Sequence, residues 1–289
     1  MSDRSVGVRS EVGSLERVLV HEPGDEFASV VDPDALNWGG LPRLKQAAKE
    51  HRGLVDILED HDVTVHELGD ADESLAESLF VRDVGFVVEG GAVIGKMHEP
   101  IRQGEEHRLT CRLVEMDVPI YHTVHDGGGF EVGNLVWLDE ETVAVGRSKT
   151  TNAEGIRQLR SVLDTYDIDI VEVPIFGSTD STGQTHLALV FAMVAPDVAL
   201  LYPPAVPTEF QDLLEDRGVD VIEVPRREQR NMATSTIVLD DETVVLSAGN
   251  QATREALADR RFDVIEHDIR EIRKAGGGLK GLVLPLERA

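Results

Sequence analysis

Three side chains that could take part in chemistry lie far apart in the sequence: Asp83, Glu131 and His186. A carboxylate can accept paired hydrogen bonds from a planar cation such as a guanidinium group, and a histidine can hold or release a proton near neutral pH. Each of the three also has a purely structural alternative. Asp83 could belong to an internal Arg–Asp ion pair, Glu131 could be an ion-pair partner in the core, and a histidine in an apolar strand is often only a packed residue. The residue types alone therefore leave both interpretations open.

A glycine-rich segment near the C-terminus is a further candidate. Gly276, Gly277 and Gly278 are consecutive, and the apolar run 282–286 follows them closely. Three glycines remove every Cβ from the segment and leave backbone N–H groups free to line a cavity. The apolar run predicts a short buried strand. A glycine-rich approach to such a strand is a common way to present one side chain at the floor of a pocket.

The elements that would position these residues repeat along the chain. A helical pattern followed by a short alternating strand recurs about every 50 residues, a period typical of closed or stacked arrays of small units. A segment with the pattern of a β-hairpin follows four of these strands. The predicted strands are residues 63–68, 118–120, 168–173, 219–224 and 262–266, the hairpins are residues 86–95, 135–146, 188–201 and 236–247, and the helices are residues 44–58, 105–115, 154–164, 208–215 and 252–260.

The fifth unit is incomplete, because only residues 281–286 follow its helix and strand. We expect the N-terminal strand, residues 15–22, to complete this unit and to close a ring, as in many propellers. The prediction is an α/β fold of ββαβ-like repeats, a five-bladed α/β propeller that forms a single domain over residues 1–289. A doubly wound sheet would need a glycine-rich loop after the first strand, and the sequence has none there. In a ring, a small ligand would bind in the central channel.

The glycine-rich segment resembles the C-terminal motif of the guanidine-modifying (pentein) superfamily, which includes arginine deiminases, dimethylarginine dimethylaminohydrolases and amidinotransferases. In that motif three glycines, two further residues and a nucleophilic cysteine precede an apolar strand that ends in Pro-Leu. The glycines, the spacing and Pro285-Leu286 are present, but Gly281 stands at the cysteine position. The resemblance implies the propeller fold, an active site in the channel, and attack by a thiolate on a guanidinium carbon.

Two further motifs supply carboxylates. Residues 80–83, Phe-Val-Arg-Asp, resemble a Phe-x-Arg-Asp motif whose aspartate contacts the substrate guanidinium in arginine deiminases. Residues 131–134 resemble the Glu-Gly-Gly-Asp signature, in which Asn134 replaces the aspartate and loses its charge. The resemblance implies that Asp83 and Glu131 face a cationic ligand.

Two more motifs are retained only in part. Residues 146–152 resemble Gly-x-Ser-x-Arg-Thr-Asn, but Thr150 stands at the arginine that holds a substrate carboxylate in many members. Thr151 and Asn152 also suit a helix N-cap, so their presence needs no function. Residues 185–188 resemble the catalytic His-Leu-Asp, with Ala188 at the acidic position.

The resemblance thus implies two catalytic remnants and a set of ligand-binding residues. The catalytic remnants are Glu131 and His186, and the ligand-binding residues are Arg82, Asp83, Asn134 and Gly281.

The sequence gives little support for another nucleophile or for a metal site. Cys111 is the single cysteine and lies in a predicted outer helix, where we expect it to be a small buried apolar residue rather than a replacement thiol. The loop before His186 carries hydroxyl groups that could reach a ligand, although serine is a weak nucleophile unless a base activates it. These are Ser178, Thr179, Ser181 and Thr182. The ten histidines are scattered, so we expect neither a metal nor a cofactor.

The charge of the chain argues against some partners. Lys and Arg total 28 and Asp and Glu total 54, which gives a formal net charge of −26. Such a charge repels nucleic acid and anionic membranes. With no long apolar run and a polar N-terminus, we expect a soluble, cytoplasmic protein whose acidic surface suits high salt, and we expect a homo-oligomer.

The losses at Gly281, Asn134, Thr150 and Ala188 together indicate a site released from covalent guanidine chemistry. The first hypothesis is a catalytically degenerate family member. Such a protein would bind a guanidino or amino-acid ligand, have a regulatory role, or form a complex with a protein partner. The alternative is a hydrolase of guanidino compounds in which His186 and Glu131 activate water directly. A third class, a protein-binding scaffold, is suggested by pentein-like rings in a ribosome-binding translation factor, but the negative charge disfavours contact with ribosomal RNA.

Overall fold

The computed structural model describes residues 6–69, 72–176 and 186–289. Within these ranges the chain forms short strands that alternate with helices. The strands are β1 (Leu15–Val20), β2 (Thr64–Glu67), β3 (Gly85–Val88), β4 (Gly91–Ile94), β5 (Ile120–Thr123), β6 (Leu135–Asp139), β7 (Thr142–Arg147), β8 (Asp169–Pro174), β9 (Phe191–Ala195), β10 (Val198–Leu201), β11 (Asp220–Glu223), β12 (Ile237–Val238), β13 (Thr243–Ser247), β14 (Asp263–His267) and β15 (Leu284–Arg288). The helices are α1 (Asp25–Ala28), α2 (Leu44–Asp60), α3 (Glu105–Glu115), α4 (Ala153–Leu163), α5 (Thr208–Asp216), α6 (Arg226–Gln229) and α7 (Gln251–Asp259).

The strands pair into three-stranded sheets, and each sheet is one ββαβ unit. In the unit that begins with β3, β4 pairs antiparallel with β3, and β5 returns parallel to β4 after α3. The units β6–β7–α4–β8, β9–β10–α5–β11 and β12–β13–α7–β14 repeat this order. The predicted α/β propeller of five ββαβ blades is confirmed.

The two ends of the chain share the remaining blade. β1 pairs antiparallel with β15 and parallel with β2, so Val18 lies opposite Pro285 and Leu19 opposite Leu284. The prediction that the N-terminal strand completes the last unit is therefore confirmed. The predicted strand 282–286 begins later than expected, at Leu284, because Leu279–Leu282 form a 3₁₀ turn.

Burial within a blade explains the sequence patterns. The first two strands are covered on both faces, and all four residues of β3 and of β4 are buried. The third strand alternates between half-buried and exposed residues, as in β5, because one of its faces meets solvent. α3 packs against β4 and β5 from outside through Leu109 and Leu113. None of the helices in the described ranges combines the length and the apolar character that crossing a membrane requires.

A 3₁₀ turn immediately precedes the first strand in four of the blades, and we call these the channel turns. They are Val81–Asp83, Val132–Asn134, Leu187–Leu189 and Leu279–Leu282. The first channel turn contacts the second and the fourth, and the second contacts the third. Equivalent positions of successive repeats are thereby brought together at one end of the central channel.

Candidate functional site

A cavity of about 140 Å³ lies where the channel turns meet, and we call it the channel pocket. Most of the site residues predicted from the sequence line it, and all of them except Thr150, which lies in the loop after β7, come from or flank a channel turn. Those that line it are Arg82, Asp83, Glu131, His186 and Gly281, together with Thr150 and Ala188 from the two partly retained motifs. Asn134 does not.

The imidazole of His186 stands between two carboxylates. Its Nε2 lies 2.7 Å from Glu131 Oε2, and its Nδ1 lies 3.6 Å from Asp83 Oδ1. Burial disfavours the imidazolium, but the two carboxylates outweigh this effect and raise the pKa of His186. Burial of Glu131 is likewise outweighed by the hydrogen bond from His186, and the pKa of Glu131 falls to about 2. Both shifts favour the imidazolium–carboxylate form of the pair, an arrangement that can donate a proton to a ligand.

Gly133 makes this arrangement sterically possible. A Cβ at this position would lie 2.5 Å from His186 Nδ1 and 2.6 Å from Asp83 Oδ1, closer than Cβ atoms approach such groups. The backbone of the second channel turn thus supports the imidazole and the Asp83 carboxylate directly. This close approach gives a physical reason for the glycine that residues 131–134 share with the motif.

The partner of Asp83 is Arg102 rather than Arg82. Arg102 Nη1 donates to Asp83 Oδ2 over 2.9 Å, and Nη2 donates to Glu105 Oε2 over 2.8 Å. Glu77 Oε2 lies 3.4 Å from Arg102 Nε. The structural alternative of an internal Arg–Asp pair is therefore present at Asp83, with Arg102 as the arginine. One carboxylate oxygen of Asp83 accepts a hydrogen bond from Arg102 of the same chain, and the other oxygen faces His186.

Three carboxylates compete for this one buried guanidinium, and not all of them ionise. Burial raises the pKa of Glu105 to about 8, although Arg102 opposes the shift. Burial also raises the pKa of Glu77. Arg102 itself is buried, but the surrounding carboxylates overcome that cost and raise its pKa. The cluster therefore keeps Arg102 charged and holds a proton on Glu105 at neutral pH.

Arg82 points to a second internal cluster behind the channel pocket. Arg82 Nη2 donates to Glu11 Oε1 over 2.8 Å, and Lys280 Nζ lies 2.7 Å from Glu11 Oε2. Burial of Glu11 is outweighed by the two cations, so its pKa falls to about 2, and burial lowers the pKa of Lys280 to about 8. Glu11 thus ties the N-terminal segment to the first and fourth channel turns. The predicted ligand-binding residue Arg82 already has a partner within the protein.

Asn134 is fully buried and belongs to the support of the pocket rather than to its wall. Its Nδ2 donates to Thr150 Oγ1 and to Thr151 Oγ1, both over 3.0 Å, and its Oδ1 accepts from Leu187 N over 3.1 Å. These bonds join the second and third channel turns to the loop after β7. The expectation that Asn134 contacts a ligand is therefore corrected, because its amide is occupied by the protein. The predicted cap of α4 does form, with Asn152 Oδ1 accepting from Gly155 N over 2.9 Å.

The glycine-rich segment packs tightly instead of leaving its backbone open. A Cβ at Gly277 would lie 2.1 Å from Phe80 Cε1, and one at Gly278 would lie 2.5 Å from Ser235 Oγ. Gly276 has a φ of +85° and donates its N–H to Arg273 O over 3.0 Å. The glycines are therefore required by close approach and by the left-handed turn, and at least one N–H that we expected to be free is used.

Gly281 itself faces the ring of Phe80. A Cβ added there would lie 3.2 Å from Phe80 Cδ1, and the three atoms nearest to it all belong to Phe80. A small side chain fits at this position if the ring yields by a few tenths of an ångström. The wall at the family's nucleophile position is therefore bare backbone.

Cys111 lies on α3, as predicted, and does not line the channel pocket. It is exposed, so the expectation of a buried apolar residue is wrong. Its Sγ lies 3.6 Å from His107 Nε2 on the same helix face. The hydroxyl residues Ser178, Thr179, Ser181 and Thr182 lie outside the described residues.

Several residues at the pocket carried no signal in the sequence. Arg102, Glu77 and Lys280 line the pocket, and Glu105 supports it from the start of α3. Charged residues are frequent throughout this chain, and burial is what distinguishes these from the rest. The i, i+3 spacing of Arg102 and Glu105 was the only available hint, and such pairs are common on helix surfaces.

The pattern of repeats and motifs agrees with a known family. The model of the family described as "N,N dimethylarginine dimethylhydrolase, eukaryotic" matches residues 42–288. The chain belongs to this family. Its membership of the pentein superfamily, predicted from the motifs, is thereby confirmed.

Relatives resemble this family member over nearly their whole length. The uncharacterized protein YkgA of Bacillus subtilis is 31% identical, over 97% of this chain and 94% of its own. The N(G),N(G)-dimethylarginine dimethylaminohydrolase of Pseudomonas aeruginosa is 27% identical, over 89% of this chain and 94% of its own. A solved structure of the Pseudomonas aeruginosa enzyme, a cysteine-to-serine mutant complexed with citrulline, is similar with a TM-score of 0.79 at 25% identity, covering 94% of this chain and 99% of that one.

Proposed function

We propose that this family member binds a small guanidino or amino-acid ligand in the channel pocket and has lost covalent thiol chemistry. The observation that carries the proposal is the environment of Gly281, where the pocket wall is bare backbone beside Phe80. Cys111, the only cysteine of the sequence, is exposed on α3 and cannot supply the thiolate. A binding or regulatory role, alone or as a subunit of a complex, follows from a ligand site without its nucleophile.

The charges around the channel pocket favour a ligand that carries both signs. The carboxylates of Asp83, Glu99 and Glu131 line the pocket together with the cations of Arg102 and Lys149. A zwitterionic amino acid can place its ammonium or guanidinium group near the former and its carboxylate near the latter. The volume of about 140 Å³ restricts the ligand to a small molecule.

The Pseudomonas aeruginosa relative supports binding without catalysis. Its solved structure holds citrulline in a mutant that has serine in place of a cysteine. Retention of citrulline in that mutant suggests that a site without this thiol can still hold an amino acid. We therefore propose citrulline and arginine-like compounds as the first ligands to test.

The alternative function is a hydrolase in which His186 activates water, and the retained His186–Glu131 pair favours it. A general base must be unprotonated, however, and the two carboxylates raise the pKa of His186. Glu131, with a pKa of about 2, is a very weak base. The rate of such a hydrolase would increase as the pH rises through the raised pKa of His186.

The proposal is tested by calorimetric titration and thermal unfolding of the purified protein with citrulline, arginine, dimethylarginine and agmatine. A ligand at 100 times its Kd should stabilise the protein by about 2.7 kcal/mol. We expect Asp83→Asn to weaken binding and Asp126→Asn, at a carboxylate that is 87% exposed, to leave it unchanged. Product release is followed in the same samples. Absence of binding to the whole panel would contradict the proposal, and turnover that rises with pH and is abolished by His186→Ala would establish the alternative.

A protein partner, a homo-oligomer and a single domain over residues 1–289 remain predictions. Gel filtration with light scattering measures the oligomeric state, and cooperative unfolding with a single transition would support the single domain.

A further inference from the structure

A second, larger cavity borders the channel pocket and carries an excess of positive charge. Its volume is about 620 Å³, and Asn37 and Gly276 line both cavities. We call it the basic cavity. The basic residues that line it are Arg43, Arg230, Arg270, Arg273 and Lys274, and the acidic ones are Glu50 and Glu271. This excess stands out in a chain whose formal net charge is −26.

The two acidic residues already have hydrogen-bond partners within the protein. Glu271 Oε1 accepts from Arg43 Nη2 over 2.8 Å, and Glu271 Oε2 accepts from Lys274 Nζ over 2.7 Å. Glu50 Oε2 accepts the backbone N–H groups of Glu271 and Ile272 over 3.0 and 3.1 Å. Burial is outweighed at Glu271, whose pKa falls to about 2, whereas burial raises the pKa of Glu50. Glu271 is thus shared by Arg43 and Lys274, and Arg270 pairs with Asp268 over 2.7 Å, so among the described residues Arg273 is the cation of the cavity that lacks an ion pair.

Arg273 is the residue that most needs a partner. Its side chain is half-buried, and in the part of the chain that the structure describes its guanidinium group makes no hydrogen bond or ion pair. Burial lowers the pKa of Arg273 although Asp268 opposes the shift, and the neighbouring Arg270 lowers it further. A partly desolvated guanidinium group with unused N–H donors raises the free energy of the folded protein. A bound anion would accept hydrogen bonds from these donors and lower that free energy.

We propose that the basic cavity binds a small multivalent phosphate anion, either free or as part of a phosphorylated metabolite. Guanidinium groups present paired N–H donors that match the oxygens of phosphate, and four of them line this cavity. The volume lies within the range of small-molecule sites. Because the cavity shares only Asn37 and Gly276 with the channel pocket, this site is distinct from the one proposed for the guanidino or amino-acid ligand.

The probe for the experiment is sodium pyrophosphate, titrated calorimetrically into the full chain at constant ionic strength. We expect Arg273→Gln to weaken binding about tenfold or more, because it removes the charge-assisted hydrogen bonds that this half-buried guanidinium group would make to the anion. Arg270→Gln should weaken it less, since that side chain is 75% exposed and pairs with Asp268. The control is Arg157→Gln on α4, which removes the same charge at a side chain that is 65% exposed and outside the cavity.

Pyrophosphate binding that falls in Arg273→Gln and Arg270→Gln but not in Arg157→Gln would support the site. Tighter binding of a nucleoside diphosphate than of pyrophosphate would identify a phosphorylated metabolite as the source, and the reverse would identify the free anion. No measurable binding, or binding that all three variants leave unchanged or weaken equally, would overturn the proposal. If Arg273→Gln fails to fold, the comparison of Arg270→Gln with the control Arg157→Gln tests the proposal. None of these variants changes a residue of the channel pocket, so the titration with citrulline reports on the proposed function separately.

Discussion

The side-chain amide of Asn134 donates to Thr150 Oγ1 over 3.0 Å, and these are two of the positions at which the chain departs from the family's motifs. The motifs have an aspartate and an arginine there, residue types that can form an ion pair across such a distance. Here an amide donor and a hydroxyl acceptor make a neutral contact in the same place. The two departures are therefore in direct contact in this fold.

Restoring only one half of this pair should be harmful. We expect Asn134→Asp to destabilise the fold by roughly 3 kcal/mol, because it places an unpaired carboxylate at a fully buried position. Adding Thr150→Arg should recover part of the loss, with a coupling energy of about 1–3 kcal/mol. Urea unfolding of the two single variants and the double variant measures this coupling. Strictly additive effects of the two substitutions would contradict it.

Gly133 supports His186 and Asp83 by close approach, and a methyl group there should separate them. We expect Gly133→Ala to cost about 1–3 kcal/mol in the free energy of unfolding through overpacking. The displaced imidazole should lose its carboxylate neighbours, so its pKa should fall. Titration of His186 followed by NMR measures this fall. Gly127→Ala is the matched control, since an added Cβ there meets nothing within 4 Å, and it should leave both the pKa and the stability nearly unchanged.

The His186–Glu131 pair should give the stability of the protein a defined pH dependence. The pKa of His186 is raised in the folded state, so its contribution is complete below the unfolded value of about 6.5 and is lost as the pH rises through the folded pKa. The pKa of Glu131 is lowered to about 2, so its contribution is complete above its ordinary value and is lost as the pH falls towards 2. The pair therefore stabilises most between about pH 4.5 and 6.5.

Urea unfolding of the wild type and of His186→Gln at pH 5.5 and pH 9 tests this window. The difference in free energy of unfolding between the two proteins should be larger at pH 5.5 than at pH 9. His61→Gln, at an exposed histidine after α2, corrects for general effects of charge and should show no such change. An equal difference at both pH values would show that His186 acts only through packing.

The fold could be predicted largely from the sequence because each blade carries its own local pattern. The buried strands β3 and β4 read as apolar runs, the exposed strand β5 alternates, and α3 has one apolar face. These patterns recur in every unit, so an error in one repeat is corrected by the others. Ring closure by β1 followed from the same logic, because the last unit lacked one strand.

The site could be predicted only in part, since motifs name residues but not their partners. Asp83, Glu131 and His186 come together because they occupy or flank equivalent turns. The partners Arg102 and Glu11 lie outside these turns, on segments whose position depends on tertiary packing. The burial of Asn134 could not be predicted either, because an asparagine in a turn is usually exposed.

Gly281→Cys tests whether the nucleophile is the only missing part of the channel pocket. The new Cβ would lie 3.2 Å from Phe80 Cδ1, so the ring must yield slightly, but the three nearest atoms are all side-chain atoms of Phe80. The thiol would enter the pocket that His186 lines, and the imidazolium can lower the pKa of a nearby thiol. The substitution is made in a Cys111→Ser background, which removes the exposed thiol of α3 and should itself leave ligand binding unchanged.

We expect Gly281→Cys alone to release little or no ammonia or amine from arginine, agmatine or methylarginines. The reason is that Arg102 already occupies Asp83, while Thr150 offers a substrate carboxylate no cation. Adding Asn134→Asp, Thr150→Arg and Ala188→Asp should raise the rate, with effects far from additive because these groups act as a unit. Product release by the Cys111→Ser background, the single variant and the combined variant is the measurement. Rapid turnover by Gly281→Cys alone would mean that the pocket has kept its binding geometry and lost only its thiol, whereas turnover by the background protein that His186→Ala abolishes would replace the binding function with direct activation of water.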